Sequence, residues 1–114
     1  MAPMTPEAAR IRQITAQELK AMIDRGTPLE LWDVRTEAER SIARIGGARH
    51  LDPAGAEHIE ALDRSTLLVF HCHHGMRSQA AAEHFLGKGF TNLCNVIGGI
   101  DAWSMQVDAS VPRY

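Results

Sequence analysis

A chain of 114 residues has the length of one ordinary domain, so its motifs are expected to serve a single site. With 45% apolar and 23% charged residues, the composition argues against disorder, and a formal net charge of -2 gives no overall attraction to nucleic acid or an anionic membrane. The sequence shows neither a signal segment nor an apolar run near the ~18 residues of a membrane helix. We therefore expect a cytoplasmic protein whose partners include no nucleic acid and no membrane.

Short apolar runs alternate with capped or alanine-rich segments along the chain. Residues 1–10 lack large apolar side chains and predict a flexible leader, residues 11–106 a domain, and residues 107–114 a tail without periodicity. The predicted elements, in chain order, are a strand ending at Ile14, a helix from the Thr15 cap to near Gly26, a strand Leu29–Val34, a short helix capped by Thr36, a strand Ala48–Leu51, a small helix around Ile59, a strand Leu67–His71, a helix Met76–Leu86, a strand Leu93–Ile97 and a helix Ile100–Met105. This alternation predicts an α/β fold, with a parallel sheet and helices on both faces.

The segment Cys72–Ser78 is where the sequence predicts chemistry, because it joins an apolar strand to a helix. Successive backbone N–H groups and the positive end of the helix dipole are expected to face the Cys72 sulfur, which favours thiolate and lowers the pKa of the thiol. Gly75 permits a tight turn, and Arg77 offers a positive charge to an anionic substrate such as thiosulfate. A lone cysteine would indicate a buried apolar residue, but these neighbours favour a nucleophile. The expected substrate-binding residues are His73, His74, Gly75, Met76, Arg77 and Ser78.

Three segments in this order resemble one protein family. They read Leu-Trp-Asp-Val-Arg at Leu31–Arg35, Cys-His-His-Gly-Met-Arg-Ser at Cys72–Ser78 and Gly-Gly-Ile-Asp-Ala-Trp at Gly98–Trp103. The chain resembles the rhodanese-like sulfurtransferases, in particular their short single-domain bacterial members, from about Ile11 to Trp103. The resemblance implies a single rhodanese-like domain with a five-stranded parallel sheet.

The resemblance also implies a double displacement. Cys72 would accept sulfane sulfur from a donor such as thiosulfate or a persulfide and pass it, as a persulfide, to cyanide or to a thiol such as glutathione or thioredoxin. No cofactor is expected. Asp33 and Arg35 are expected to pair and brace the site, although a polar strand end at the surface would explain them almost as well.

The sequence also bears on two alternatives to a catalytic sulfurtransferase. Cysteine phosphatases and arsenate reductases need a longer loop between cysteine and arginine to surround a tetrahedral anion, whereas here four residues separate Cys72 from Arg77. A non-catalytic binding module would be expected to lose the nucleophile, although a relay that takes sulfur from a protein persulfide stays open.

One segment departs from the family pattern. This chain has Arg44–Ala48 where the family usually has His-Ile-Pro-Gly-Ala, and the change bears on substrate preference and rate more than on the fold.

The second cysteine and the six histidines indicate no further site in the sequence. Cys94 lies in a predicted strand, which favours a core residue over a resolving cysteine. No histidine spacing forms a zinc pattern with the two cysteines, so no metal is expected.

Overall fold

The computed structural model describes residues 10–114, so nearly all of the predicted leader lies outside the described residues. Five parallel strands form one sheet in the order β1-β5-β4-β2-β3. The strands are β1 (Arg12–Ile14), β2 (Glu30–Asp33), β3 (Arg49–His50), β4 (Leu68–His71) and β5 (Leu93–Val96). The helices are α1 (Ala16–Asp24), α2 (Glu37–Ile42), α3 (Pro53–Glu60), α4 (Met76–Gly87) and α5 (Gly99–Gln106). The predicted α/β fold with a five-stranded parallel sheet is confirmed.

The sheet separates two apolar cores. Along β4, successive side chains point to opposite faces, so Val69 packs into one core while Leu68 and Phe70 pack into the other. The first core is covered by α1 and α5 through residues such as Leu19 and Trp103, and the second by α3 and α4. All four residues of β4 and of β5 are buried, which explains why apolar residues predominate in both strands.

The local signals that predict α1 and α2 correspond to real caps. Thr15 accepts a hydrogen bond from the Glu18 N–H, and the Glu18 carboxylate accepts one from the Thr15 N–H. Thr36 and Glu39 form the same reciprocal pair at the start of α2. This cap fixes the first turn of α2, and with it the position of Glu39, beside the loop that follows β4.

The segments after β4 and β5 meet at the carboxyl edge of the sheet, where ligands bind in parallel α/β folds. The Ile100 N–H at the start of α5 donates to the Cys72 carbonyl at 2.8 Å. Gly99 lies so close that a β-carbon there would collide with the carbonyl oxygens of Cys72 and His73, and its φ is +56°. Only glycine fits this contact, which holds α5 against the loop.

Among residues 10–114, no helix combines the length and apolarity required for a membrane crossing.

Candidate active site around Cys72

Cys72 is the first residue after β4, and its side chain is 1% exposed. It lies at the base of a surface cavity of about 380 Å³. The cavity is lined by Cys72, His73, His74, Met76 and Arg77. The structure therefore brings together five of the seven predicted loop residues around one opening, and the other two, Gly75 and Ser78, contact the sulfur from beneath.

Hydrogen bonds converge on the Cys72 sulfur. The Gly75 N–H donates to Sγ at 3.1 Å, and the Ser78 Oγ lies 3.3 Å from Sγ. Gly75 can turn the chain here because its φ of +110° lies in the left-handed region that side chains disfavour. Burial would raise the pKa of the Cys72 thiol, but bonds from the Ser78 hydroxyl and from the N–H groups of Ser78, Gly75 and His74 outweigh it, so the pKa is lowered. These hydrogen bonds favour the thiolate of Cys72 over its thiol.

Asn95 fixes the geometry of this loop from the neighbouring strand β5. Its Nδ2 donates to the Gly75 carbonyl at 3.1 Å and to Gln13 Oε1 at 2.9 Å. These two bonds orient the amide so that its Oδ1 accepts from the Ser78 hydroxyl at 2.5 Å. The sequence analysis did not identify Asn95, although a polar residue within an apolar strand is a signal that could have found it.

Arg77 already has an anionic partner within the protein. Its two terminal nitrogens bind the two carboxylate oxygens of Glu39 at 2.6 and 2.9 Å. The Arg77 hydrogen bonds hold the pKa of Glu39 far below its usual range, and Glu39 in turn raises the pKa of Arg77. The charge expected to attract an anionic donor is thus largely neutralised by a residue that the sequence analysis did not identify.

The tail reaches this cluster through its last described residue. The Tyr114 hydroxyl donates to the Glu39 carboxylate at 2.6 Å and lies 3.0 Å from an Arg35 nitrogen. Its ring stacks on the His73 imidazole with the ring centroids 4.1 Å apart. Because Val111 is also buried, the tail is held on the domain at two points, Val111 and Tyr114.

Asp33 and Arg35 form a buried pair beneath the site. Arg35 binds both carboxylate oxygens of Asp33 at 2.9 and 2.7 Å, and neither side chain is exposed. Arg40 adds a second cation at 3.0 Å. Burial would raise the pKa of Asp33, but the Arg35 hydrogen bonds outweigh it and the pKa is lowered. The alternative of a solvated strand end does not hold for these residues, and Arg35 also binds the Ala43 carbonyl at 2.6 Å, which ties the loop after α2 to β2.

Cys94 has a different environment from Cys72. It is fully buried in the apolar core, and burial raises the pKa of its thiol. No disulfide joins it to Cys72. This environment is that of the predicted core residue.

Comparisons with known proteins agree with this geometry. A family model described as "Rhodanese-like domain" matches residues 15–106. The chain is 34% identical over 117 residues to the Zea mays protein named adenylyltransferase and sulfurtransferase MOCS3-2, in a match covering 96% of this chain and 24% of the relative. The chain therefore spans about a quarter of that relative's length. It is also 30% identical over 93 residues to thiosulfate sulfurtransferase GlpE of Pseudomonas aeruginosa, covering 81% of this chain and 83% of that protein.

Solved structures share the fold. A rhodanese-like domain protein from Staphylococcus aureus superposes with a TM-score of 0.73 at 25% identity, covering 91% of this chain and 99% of that one. A Saccharomyces cerevisiae protein described as a homolog of single-domain rhodanese and the Cdc25 phosphatase catalytic domain gives a TM-score of 0.70 at 20% identity, covering 89% and 86%. The second likeness is one of fold alone.

Proposed function

The chain belongs to the family of rhodanese-like domains, and from that premise we propose that it is a sulfurtransferase that carries sulfane sulfur as a persulfide on Cys72. The observation that supports this proposal most directly is the convergence of the Gly75 N–H and the Ser78 hydroxyl on the Cys72 sulfur. These donors stabilise a thiolate, and a thiolate is the form of cysteine that attacks sulfur.

The reaction proceeds in two displacements. In the first, the Cys72 thiolate attacks the outer sulfur of a donor such as thiosulfate. A new sulfur–sulfur bond forms on Cys72, the donor's own sulfur–sulfur bond breaks, and sulfite leaves with the electron pair. In the second, cyanide or a thiolate such as that of glutathione or thioredoxin attacks the outer persulfide sulfur and releases the Cys72 thiolate. No net oxidation or reduction of the protein occurs over the cycle.

The loop supports sulfur transfer more than phosphoryl transfer. Four residues separate Cys72 from Arg77, and Arg77, which lines the cavity, is bound to Glu39 through both of its terminal nitrogens. A tetrahedral phosphate needs several donors around its oxygens, and an arginine fork can bind two of those oxygens at once. A terminal sulfur needs little more than the donors already placed around Cys72.

The test is a steady-state assay of thiocyanate formation from thiosulfate and cyanide, run beside hydrolysis of an aryl phosphate. We expect thiocyanate production by the wild-type protein, none by Cys72→Ser and no phosphatase activity. Cys94→Ser is the matched control and should retain the activity, because its thiol is buried in the core. Equal activity in Cys72→Ser, or aryl phosphate hydrolysis in place of sulfur transfer, would refute the proposal.

A relay with a protein persulfide as donor is the second candidate. The pairing of Arg77 with Glu39 favours it, because a small dianion finds no free positive charge at Arg77. In the same assay this candidate predicts slow thiosulfate turnover but rapid discharge by cyanide once Cys72 has been loaded by a persulfide.

A further inference from the structure

We propose that His73, His74 and Asp101 form a binding site for a divalent transition-metal ion on the wall of the Cys72 cavity. Each of the three residues offers one ligand atom, and these atoms lie within 4.8 Å of one another. The spacing of residues in the sequence predicts no metal site, because Asp101 comes from another element, the first turn of α5. This inference does not depend on sulfur transfer by Cys72.

The backbone holds the three residues together before any ion binds. The Asp101 N–H donates to the His73 carbonyl at 3.2 Å, so α5 is fastened to the histidine loop. The two imidazoles lie with their ring centroids 4.0 Å apart and their planes tilted by 41°. His74 Nε2 lies 3.8 Å from Asp101 Oδ2. In a tetrahedral zinc site, ligand atoms ~2.0–2.2 Å from the metal are about 3.3 Å apart, so the side chains would rotate on binding to bring their ligand atoms closer together.

Two further observations point to a ligand. The His73 Nε2 is shielded from solvent and has no hydrogen-bond partner among the described residues. A shielded imidazole nitrogen without a partner carries an energetic cost that coordination would remove. Arg113 binds Asp101 Oδ1 at 2.9 Å and contacts Oδ2 at the longer distance of 3.4 Å. The guanidinium thus orients the carboxylate from outside and leaves Oδ2 directed toward His74, as the outer partners of metal ligands do.

The donor set selects the class of metal. Two imidazoles and one carboxylate suit ions such as Zn²⁺, Co²⁺ and Ni²⁺, whereas Ca²⁺ and Mg²⁺ prefer oxygen ligands alone. Three protein ligands leave at least one coordination position open to water or to another ligand. Because His73 and His74 line the cavity together with Cys72, an ion bound by them would lie at the wall of that cavity.

The test is direct binding of ZnCl₂ to untagged, chelator-treated protein by titration calorimetry, with Co²⁺ absorption as a report on the ligands. We expect one ion per chain, and Co²⁺ bands in the visible range that differ from those of the aqueous ion. Asp101→Asn and His74→Ala should each weaken binding by more than about tenfold. His84→Ala, which removes an exposed histidine of α4, is the matched control and should bind as the wild type does.

The Cys72→Ser variant separates this site from the nucleophile. It should retain the ion even though it lacks the thiol on which sulfur transfer depends. Circular dichroism of each variant establishes that its fold is intact. The proposal would be overturned by the absence of stoichiometric binding, by equal weakening in His84→Ala, or by binding that is lost in Cys72→Ser and retained in Asp101→Asn.

Discussion

Replacing Ser78 by alanine should raise the pKa of the Cys72 thiol. The substitution removes a single oxygen, the Oγ that lies 3.3 Å from the sulfur, and leaves a residue that favours the helix. The same hydroxyl also lies 2.5 Å from Asn95 Oδ1. A hydroxyl has one hydrogen, so ionisation of Cys72 requires that hydrogen to turn from the amide oxygen to the thiolate.

The expected size of the effect follows from this exchange. A hydrogen bond to a charged group is worth ~1.5–3 kcal/mol, and a neutral one ~0.5–1.5 kcal/mol. The net stabilisation of the thiolate by Ser78 is the difference, about 1–1.5 kcal/mol. Since ~1.4 kcal/mol corresponds to one pKa unit, Ser78→Ala should raise the pKa of Cys72 by about one unit.

The assay is the rate of alkylation by iodoacetamide as a function of pH, with the modified cysteine identified by peptide mass. The midpoint of the rate profile gives the pKa of the thiol. Ser104→Ala is the matched control, because Ser104 is buried in α5 and its hydroxyl has no partner among the described residues. An unchanged midpoint in Ser78→Ala, or an equal shift in Ser104→Ala, would refute the assignment of Ser78 as a thiolate donor.

Two further substitutions test the surroundings of the loop. Glu39→Gln removes the negative partner of Arg77 and should lower the KM for thiosulfate by about three- to fivefold, since partly exposed ion pairs are worth up to ~1 kcal/mol. Steady-state kinetics at a fixed cyanide concentration measures this KM. A raised KM would mean that Glu39 instead holds Arg77 in place for the donor. His71 is fully buried, and burial lowers its pKa from 6.5 to about 4, although the charge of Asp33 opposes the shift. As the pH falls below 6.5, His71 therefore binds a proton in the unfolded chain while it stays neutral in the folded protein, and this favours unfolding. The free energy of unfolding should drop by about 2 kcal/mol between pH 7 and pH 5. Urea unfolding measures this drop, which His71→Gln should largely abolish; an equal drop in that variant would show that other groups cause it.

Sequence reasoning succeeded where the signal is local. The strand β4, the turn at Gly75 and the helix α4 are consecutive in the chain, so hydrophobic pattern and turn chemistry suffice to place Cys72 at a strand end. The helix caps at Thr15 and Thr36 are likewise local signals, because each capping residue lies next to the helix that it begins.

Sequence reasoning missed the contacts that join distant segments. Glu39 lies 38 residues from Arg77, and Tyr114 lies 75 residues from Glu39, so no period or spacing connects them. The charges of Asp33 and Arg35 could not decide between a polar strand end at the surface and a buried ion pair, because burial depends on how α2 and the loop after it pack against β2. The pairing of Arg77 with Glu39 and the stacking of Tyr114 on His73 both follow from such contacts.

The measurement that tests the central claim most directly is the intact mass of the reduced protein after incubation with thiosulfate, before and after addition of cyanide. The account predicts that the wild-type protein gains the mass of one sulfur atom, that cyanide removes it as thiocyanate, and that Cys72→Ser gains nothing. A sulfur adduct of the same extent on Cys72→Ser, or a wild-type protein that gains no sulfur from either thiosulfate or a glutathione persulfide, would contradict it.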